Sequence, residues 1–175
     1  MTTAATADHN DADVTFAQQM IPHHQQALTM ATMAMDPKAG ASSAVKALAT
    51  RISAAQTPEI DMMQGWLDQW AVPMSETTDM HAMGSSTPVG TGMGEMGGSD
   101  GMMTDADMQA LATATGPAFD TLWLTGMITH HQGAIAMAST EKQTGTNADA
   151  LKVADSIATG QAEEVTEMQQ LLSAG

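Results

Sequence analysis

The sequence predicts an all-α fold, a four-helix bundle built from two tandem helical hairpins. Apolar residues recur at helical spacing, and no segment alternates with the period of a strand. Residues 13–31 and 120–138 align without a gap and share nine identities in 19 positions. Similar segments, 52–67 and 157–172, follow each of them downstream. A two-helix unit therefore occurs twice, and four helices with inward apolar faces form a bundle.

The first repeat covers about residues 12–70. Its first helix begins near Ala12 and ends near Asp36, because Pro37 disfavours helical geometry in the residue before it. Its second helix runs from about residue 41 to residue 70. Pro22 and Pro58 each remove a backbone donor inside these helices, so we expect a local disturbance at both positions.

The second repeat covers about residues 105–173. A short helix begins after the N-cap Thr104 and closes at Gly116. Helices then run near 117–142 and 147–173, with Gly145 between them and Asn147 as the N-cap of the second. Together the two repeats make residues 1–175 a single domain.

A long segment rich in methionine and glycine, residues 71–104, connects the repeats. It contains seven Met and seven Gly, and such a long loop is typical of a functional or disordered segment. Soft donors lie close together within it, in Met80-His81-x-Met83 and in Met93-x-x-Met96. Because exposed methionine clusters have no packing role, these residues are secondary candidates for metal capture.

The composition excludes several classes of function. The formal net charge is −15, which argues against binding nucleic acid or an anionic membrane surface. No apolar run reaches the roughly 20 residues of a membrane-spanning helix. The chain has no Cys, which excludes disulfides, zinc fingers and cysteine nucleophiles. Residues 1–15 are polar and acidic, so the chain is either cytosolic or a mature form without its signal peptide.

A histidine doublet with methionine on the same helix face occurs in both repeats. His23 and His24 in the first repeat correspond to His130 and His131 in the second, and Met precedes each doublet by one turn. A buried Met is ordinarily a packing residue, but four buried imidazoles need a partner. Thioether and imidazole donors together favour Cu(I), and by the same softness Ag(I).

Carboxylates on the same faces leave a second interpretation open. Inward Glu and His also form the di-metal centres of ferritin-like oxidases. Here the candidates are Asp13, Glu59, Asp120 and Glu164, although neither repeat contains the Glu-x-x-His motif of that class. A third interpretation is a helical bundle with only a structural or partner-binding role.

The motif Asp13-x-x-Phe16-x-x-x-Met20-Ile21-Pro22-His23-His24-Gln25, repeated from Asp120 to Gln132, resembles the domain of unknown function 305 family. That family includes CopM-like extracytoplasmic copper-binding proteins. The resemblance implies a ferritin-like four-helix bundle, export from the cytoplasm, and binding of copper or silver through Met and His. By position, the implied ligands are Met20, His23, His24, Met30, Met127, His130, His131 and Met137, with Met63 and Met168 behind them.

Together, these observations predict a non-enzymatic, exported protein that sequesters or hands over Cu(I) in metal tolerance. Its location would be periplasmic, secreted or on the cell surface, in a mature form lacking its signal peptide. The expected partners are metal ions and a copper-transport or copper-resistance protein. The alternative is the ferritin-like oxidase with a carboxylate and histidine di-metal centre.

Overall fold

The computed structural model describes residues 8–74 and 100–174, and every regular element within these ranges is helical. The prediction of an all-α fold is confirmed. The helices are α1 (Asp11–Met35), α2 (Ser43–Gln69), α3 (Asp105–Thr113), α4 (Pro117–Thr144) and α5 (Ala148–Ala174), with a 3-10 turn (Pro37–Ala39) between α1 and α2. Met80, His81, Met83, Met93 and Met96, the candidates in the methionine-rich segment, lie outside the described residues.

Polar caps define where the helices begin. The Asn10 side chain accepts hydrogen bonds from the backbone at the start of α1, and the Asp13 side chain accepts one from the Asn10 backbone in return. Thr104 caps α3 through a similar reciprocal arrangement with Asp107. Asn147 accepts from the Ala150 backbone and caps α5, as its position in the sequence predicts.

Neither internal proline ends its helix. α1 continues through Pro22 and α2 continues through Pro58, so the disturbance expected at these positions does not interrupt the helices. A proline inside a helix removes one backbone hydrogen bond. Next to Pro22, Ile21 and His23 are both buried, and this packing holds the helix together across the missing bond.

The four long helices form two antiparallel hairpins, α1 with α2 and α4 with α5, which join along α1 and α4. α1 and α4 also run antiparallel. The Trp123 indole N–H donates to the Met30 carbonyl at 2.9 Å, while the Asn10 amide donates to the Thr144 carbonyl at 2.8 Å. The midpoints of α1 and α4 therefore lie against each other.

Two apolar clusters fill the interior, one on each side of these midpoints. The Trp123 cluster comprises Ala27, Met30, Ala31, Ala34, Ala39, Ala41, Val45, Leu48, Ala49, Ile52, Met103, Leu111, Phe119, Trp123, Leu124, Met127 and Met168. The Phe16 cluster comprises Phe16, Ala17, Met20, Ile21, Met63, Leu67, Ala134, Ala138, Ala154 and Ile157. None of the helices in the described ranges is both long and apolar enough to cross a bilayer.

Candidate metal centre

Four histidines occupy the region between the two apolar clusters, and we call them the histidine layer. His23 and His24 come from the middle of α1, and His130 and His131 come from the middle of α4. All four are at most 1% exposed. The His23 and His130 rings lie one on the other, with 3.7 Å between their centroids and 36° between their planes. The two sequence repeats therefore bring their histidine doublets together.

A glutamate holds the second histidine of each doublet. Glu59 of α2 lies 2.8 Å from Nε2 of His24, and Glu164 of α5 lies 2.8 Å from Nε2 of His131. Both glutamates are partly exposed, whereas both imidazoles are fully buried. Each pair thus links the two helices of one hairpin, and each carboxylate accepts from an imidazole N–H.

Three of the four imidazoles have one engaged nitrogen and one free nitrogen. Nε2 of His23 lies 3.0 Å from the Asp100 carbonyl oxygen, which can only accept. Nδ1 of His23, His24 and His131 is buried without a hydrogen-bond partner among the described residues. Because the hydrogen is on Nε2, Nδ1 carries a lone pair. An imidazole held in this way by a carbonyl or carboxylate is the usual form of a metal ligand.

His130 differs from the other three because neither of its ring nitrogens has a partner within the described part of the chain. Burial lowers its pKa well below the ordinary value, and the neighbouring His23 and His131 lower it further. Burial also lowers the pKa of His23 to about 4, although the bond to the Asp100 carbonyl opposes this shift. Both rings are therefore neutral at pH 7, the state that binds metal.

The predicted methionine ligands are divided between the two sides of the histidine layer. Met20 and Met63 belong to the Phe16 cluster, and Met30, Met127 and Met168 belong to the Trp123 cluster. These five are fully buried. Met137 is only partly buried and lines a cleft with Phe16 and Glu141. The structure therefore places thioethers above and below the layer, with Met137 packed against the outside of the Phe16 cluster.

Asp13 and Asp120 have other partners. Asp13 accepts from the backbone N–H groups of Thr146 and Asn147, at 3.1 and 2.9 Å, at the start of α5. Asp120 accepts from the Ser42 backbone at 3.1 Å, at the start of α2. Each aspartate is ten residues before the first histidine of its helix, or about 15 Å along the axis. The structure does not bring them to the histidines.

The described residues contain no group of three or more His, Asp or Glu side chains placed to hold a metal ion. Of the four carboxylates considered for a hard di-metal centre, only Glu59 and Glu164 contact a histidine, and each contacts a different one. The geometry therefore gives no support to the oxidase interpretation within 8–74 and 100–174.

Two features of the layer were not among the predicted site residues. Gln56 and Gln161 are buried, and both polar atoms of the Gln56 side chain lack a partner among the described residues. Their equivalent positions in the two repeats are the signal that could have found them. The Asp100 carbonyl on His23 could not be found in this way, because a backbone acceptor in an irregular segment leaves no pattern in the sequence.

The model of the family described as "Domain of unknown function (DUF305)" matches residues 13–172. The chain belongs to the DUF305 family. A DUF305 protein from Streptomyces coelicolor, assigned as a secreted protein, is 32% identical with a TM-score of 0.77, covering 97% of this chain and 94% of its own. A DUF305 fragment from Deinococcus radiodurans is 25% identical with a TM-score of 0.75, covering 95% and 98%.

The DUF305 fold also matches solved structures of CopM. CopM in its Cu(I)-bound form is 30% identical with a TM-score of 0.69, covering 93% of this chain and 96% of its own. CopM structures in Cu(II)-bound, Ag-bound and apo forms match as well. The comparison with curated proteins gives no match.

Proposed function

We propose that this DUF305 protein binds Cu(I), and Ag(I) by the same chemistry, in the histidine layer. The observation that carries this proposal is the set of buried Nδ1 atoms with no hydrogen-bond partner among the described residues, on three imidazoles whose Nε2 atoms are already held. A buried polar atom without a partner costs about 1–3 kcal/mol. A bound cation would remove that cost at each Nδ1 atom that it engages.

The donor types favour a soft monovalent cation. The layer offers neutral imidazoles, and the residues on either side of it offer buried thioethers such as Met20 and Met127, one helical turn before each doublet. Mg²⁺ and Ca²⁺ require a shell of oxygen ligands. Cu(I) and Ag(I) accept two or three nitrogen and sulfur donors, so they do not need the three-residue His and carboxylate group that the described residues lack. CopM, with structures in Cu- and Ag-bound forms, supports the same choice.

We further propose that the protein is not an enzyme, that it is exported, and that it sequesters Cu(I) or transfers it to a copper-transport or copper-resistance protein. The four long helices are proposed to form a ferritin-like four-helix bundle in which the histidine layer is the binding level. The family relative assigned as secreted supports the extracytoplasmic location.

The test is competition for Cu(I) between the purified protein and a colorimetric chelator. The wild type should withdraw Cu(I) from the chelator, and the double variant His23→Ala, His130→Ala should bind at least about 100-fold more weakly. His9→Ala is the matched control, because His9 stacks on Trp70 outside the layer. Circular dichroism verifies that each variant folds. A wild type that takes no Cu(I) from the chelator would overturn the proposal.

A further inference from the structure

A short segment, Asp100–Met103, lies across α1 and α4 next to the histidine layer, and we call it the strap. Its first residue contacts His23 through the Asp100 carbonyl, at 3.0 Å. Its last residue is held by Gln26 of α1, whose amide donates to the Met103 carbonyl at 3.0 Å and accepts from the Met103 N–H at 2.8 Å. The strap is therefore fixed to α1 at both ends.

On α4 the strap lies in a groove that two glycines create. Gly126 and Gly133 are seven residues apart, so they lie on the same face of the helix. A Cβ at position 133 would lie 1.9 Å from the Asp100 carbonyl oxygen, and one at position 126 would lie 2.7 Å from Sδ of Met103. Any larger residue at position 133 would displace the strap backbone, whereas one at position 126 would push aside the Met103 side chain.

The strap itself is shaped for this groove. Gly101 has a φ of +77°, a conformation that residues with a side chain rarely adopt. A Cβ there would lie 2.5 Å from the Thr129 carbonyl oxygen of α4. Met103 extends from the end of the strap into the Trp123 cluster, where it is only 7% exposed.

The groove belongs to one repeat only. In the alignment of the repeats, Gly126 and Gly133 of α4 correspond to Gln19 and Gln26 of α1. On α4 the two glycines provide space for the strap, and on α1 the side-chain amide of Gln26 holds it. The two helices are thus modified in complementary ways at the same level, the level of His23 and His130.

We propose that the strap controls the exchange of metal ions between solvent and the histidine layer. The inference rests on the proposed function. When docked, the strap covers His23 and keeps the hydrogen on Nε2, which leaves the Nδ1 lone pair available to a metal ion. When the strap leaves the groove, His23 loses its cover and the ion can enter or leave. Gln26, Gly126 and Gly133 act as positioning residues for this movement.

The principal test is the rate at which Cu(I)-loaded protein transfers its ion to an excess of chelator, followed by stopped-flow absorbance. Gly133→Ala should accelerate the transfer at least about tenfold, because the strap cannot dock against a Cβ at that position. Gly160→Ala is the matched control, since a Cβ there meets nothing within 4 Å, and its rate should stay within about twofold of the wild type. If Gly133→Ala does not fold, Gln26→Ala removes the strap's amide anchor and should accelerate the transfer severalfold.

A second measurement needs no metal. Diethyl pyrocarbonate modifies accessible neutral imidazoles, and mass spectrometry locates the modified residue. His23 should react faster in Gly133→Ala than in Gly160→Ala, with His9 as the internal reference. Equal transfer rates and equal His23 reactivity in the two variants would overturn the proposed role of the strap. If the wild type still binds Cu(I), the proposed function would stand. A wild type that fails to bind Cu(I) would overturn the proposed function and the strap with it.

Discussion

The two hairpins share the contacts that hold the histidine layer and the starts of their second helices, and they differ at other positions, some of them at the level of the layer. Both hold a histidine against a glutamate at 2.8 Å, and both use an early aspartate to cap the second helix of the other hairpin. The pairs that differ between the first and second repeat include Phe16 and Trp123, Gln19 and Gly126, Gln26 and Gly133, and Ala34 and Glu141. The shared features form the layer and its frame. The differences give the second hairpin a larger core aromatic, the strap groove and the buried acid Glu141.

The largest effect should come from the aromatic pair. Trp123→Ala should lower the free energy of unfolding by about 4 kcal/mol, because the fully buried indole leaves a large cavity and loses its bond to the Met30 carbonyl. Phe16→Ala at the equivalent position should cost about 3 kcal/mol. Urea denaturation of both variants measures the difference. Equal losses would show that the Trp123 cluster is no more important to stability than the Phe16 cluster.

The second effect concerns Glu141, which has Ala34 as its counterpart. Burial, together with the neighbouring Asp13, raises the pKa of Glu141 to about 8. The unfolded chain ionises this carboxyl near its ordinary value of 4.5, while the folded protein retains the proton up to about pH 8. The wild type should therefore lose stability as pH rises from 5 to 8, by on the order of 3 kcal/mol.

Glu141→Gln should remove this loss because an amide does not ionise. Denaturation midpoints at pH 5 and pH 8 give the measurement, and Glu163→Gln, at an exposed position of α5, is the control. If Glu141→Gln loses as much stability between pH 5 and pH 8 as the wild type, the loss comes from other groups.

The third effect compares the two capping aspartates. Asp13 is fully buried, and four donor groups donate hydrogen bonds to its carboxylate. They are the backbone N–H groups of Asn10, Thr146 and Asn147 and the hydroxyl of Thr146. Asp120 is half-buried and accepts from Ser42 alone among the described residues. Asp13→Ala should cost about 2 kcal/mol and Asp120→Ala about 1 kcal/mol, since leaving buried donors unpaired costs more than leaving exposed ones. Thermal unfolding at pH 6 would separate the two, and an equal cost would contradict the difference in burial.

The smallest effect should be the same in both hairpins. Glu59→Gln and Glu164→Gln each weaken the orientation of one histidine, and each should reduce Cu(I) affinity by about tenfold. Chelator competition measures both. A loss confined to one variant would show that the metal uses only one of the two doublets.

The sequence predicts the helices and the histidine layer because both follow from local periodicity. Residues at helical spacing share a face whatever the surroundings. The sequence alone therefore predicts that His23, His24, His130 and His131 face the interior. The repeat adds that the two doublets occur at equivalent positions. The close approach of the His23 and His130 rings, with 3.7 Å between their centroids, could not be predicted in this way because it depends on where α1 and α4 cross.

What the sequence did not predict depends on contacts between distant segments. Asp13 shares the inward face of α1 with the histidines, and this position suggests a metal ligand. In the structure its carboxylate instead accepts hydrogen bonds from backbone N–H groups of the other hairpin. The Asp100 carbonyl reaches His23 across 77 residues of chain, from a segment with no regular structure. Periodicity describes one helix at a time, and neither contact belongs to a single helix.

The contact between His23 and His130 has a consequence for the stability of the whole molecule. One ring belongs to each hairpin, so an ion bound by a nitrogen atom of each ring would act as a cross-link in a chain that contains no cysteine. The loaded protein would then resist separation of its halves, and this stabilisation would grow with the affinity and the concentration of the ion. The thermal unfolding midpoint of the protein would thus report how much of it is loaded with the ion.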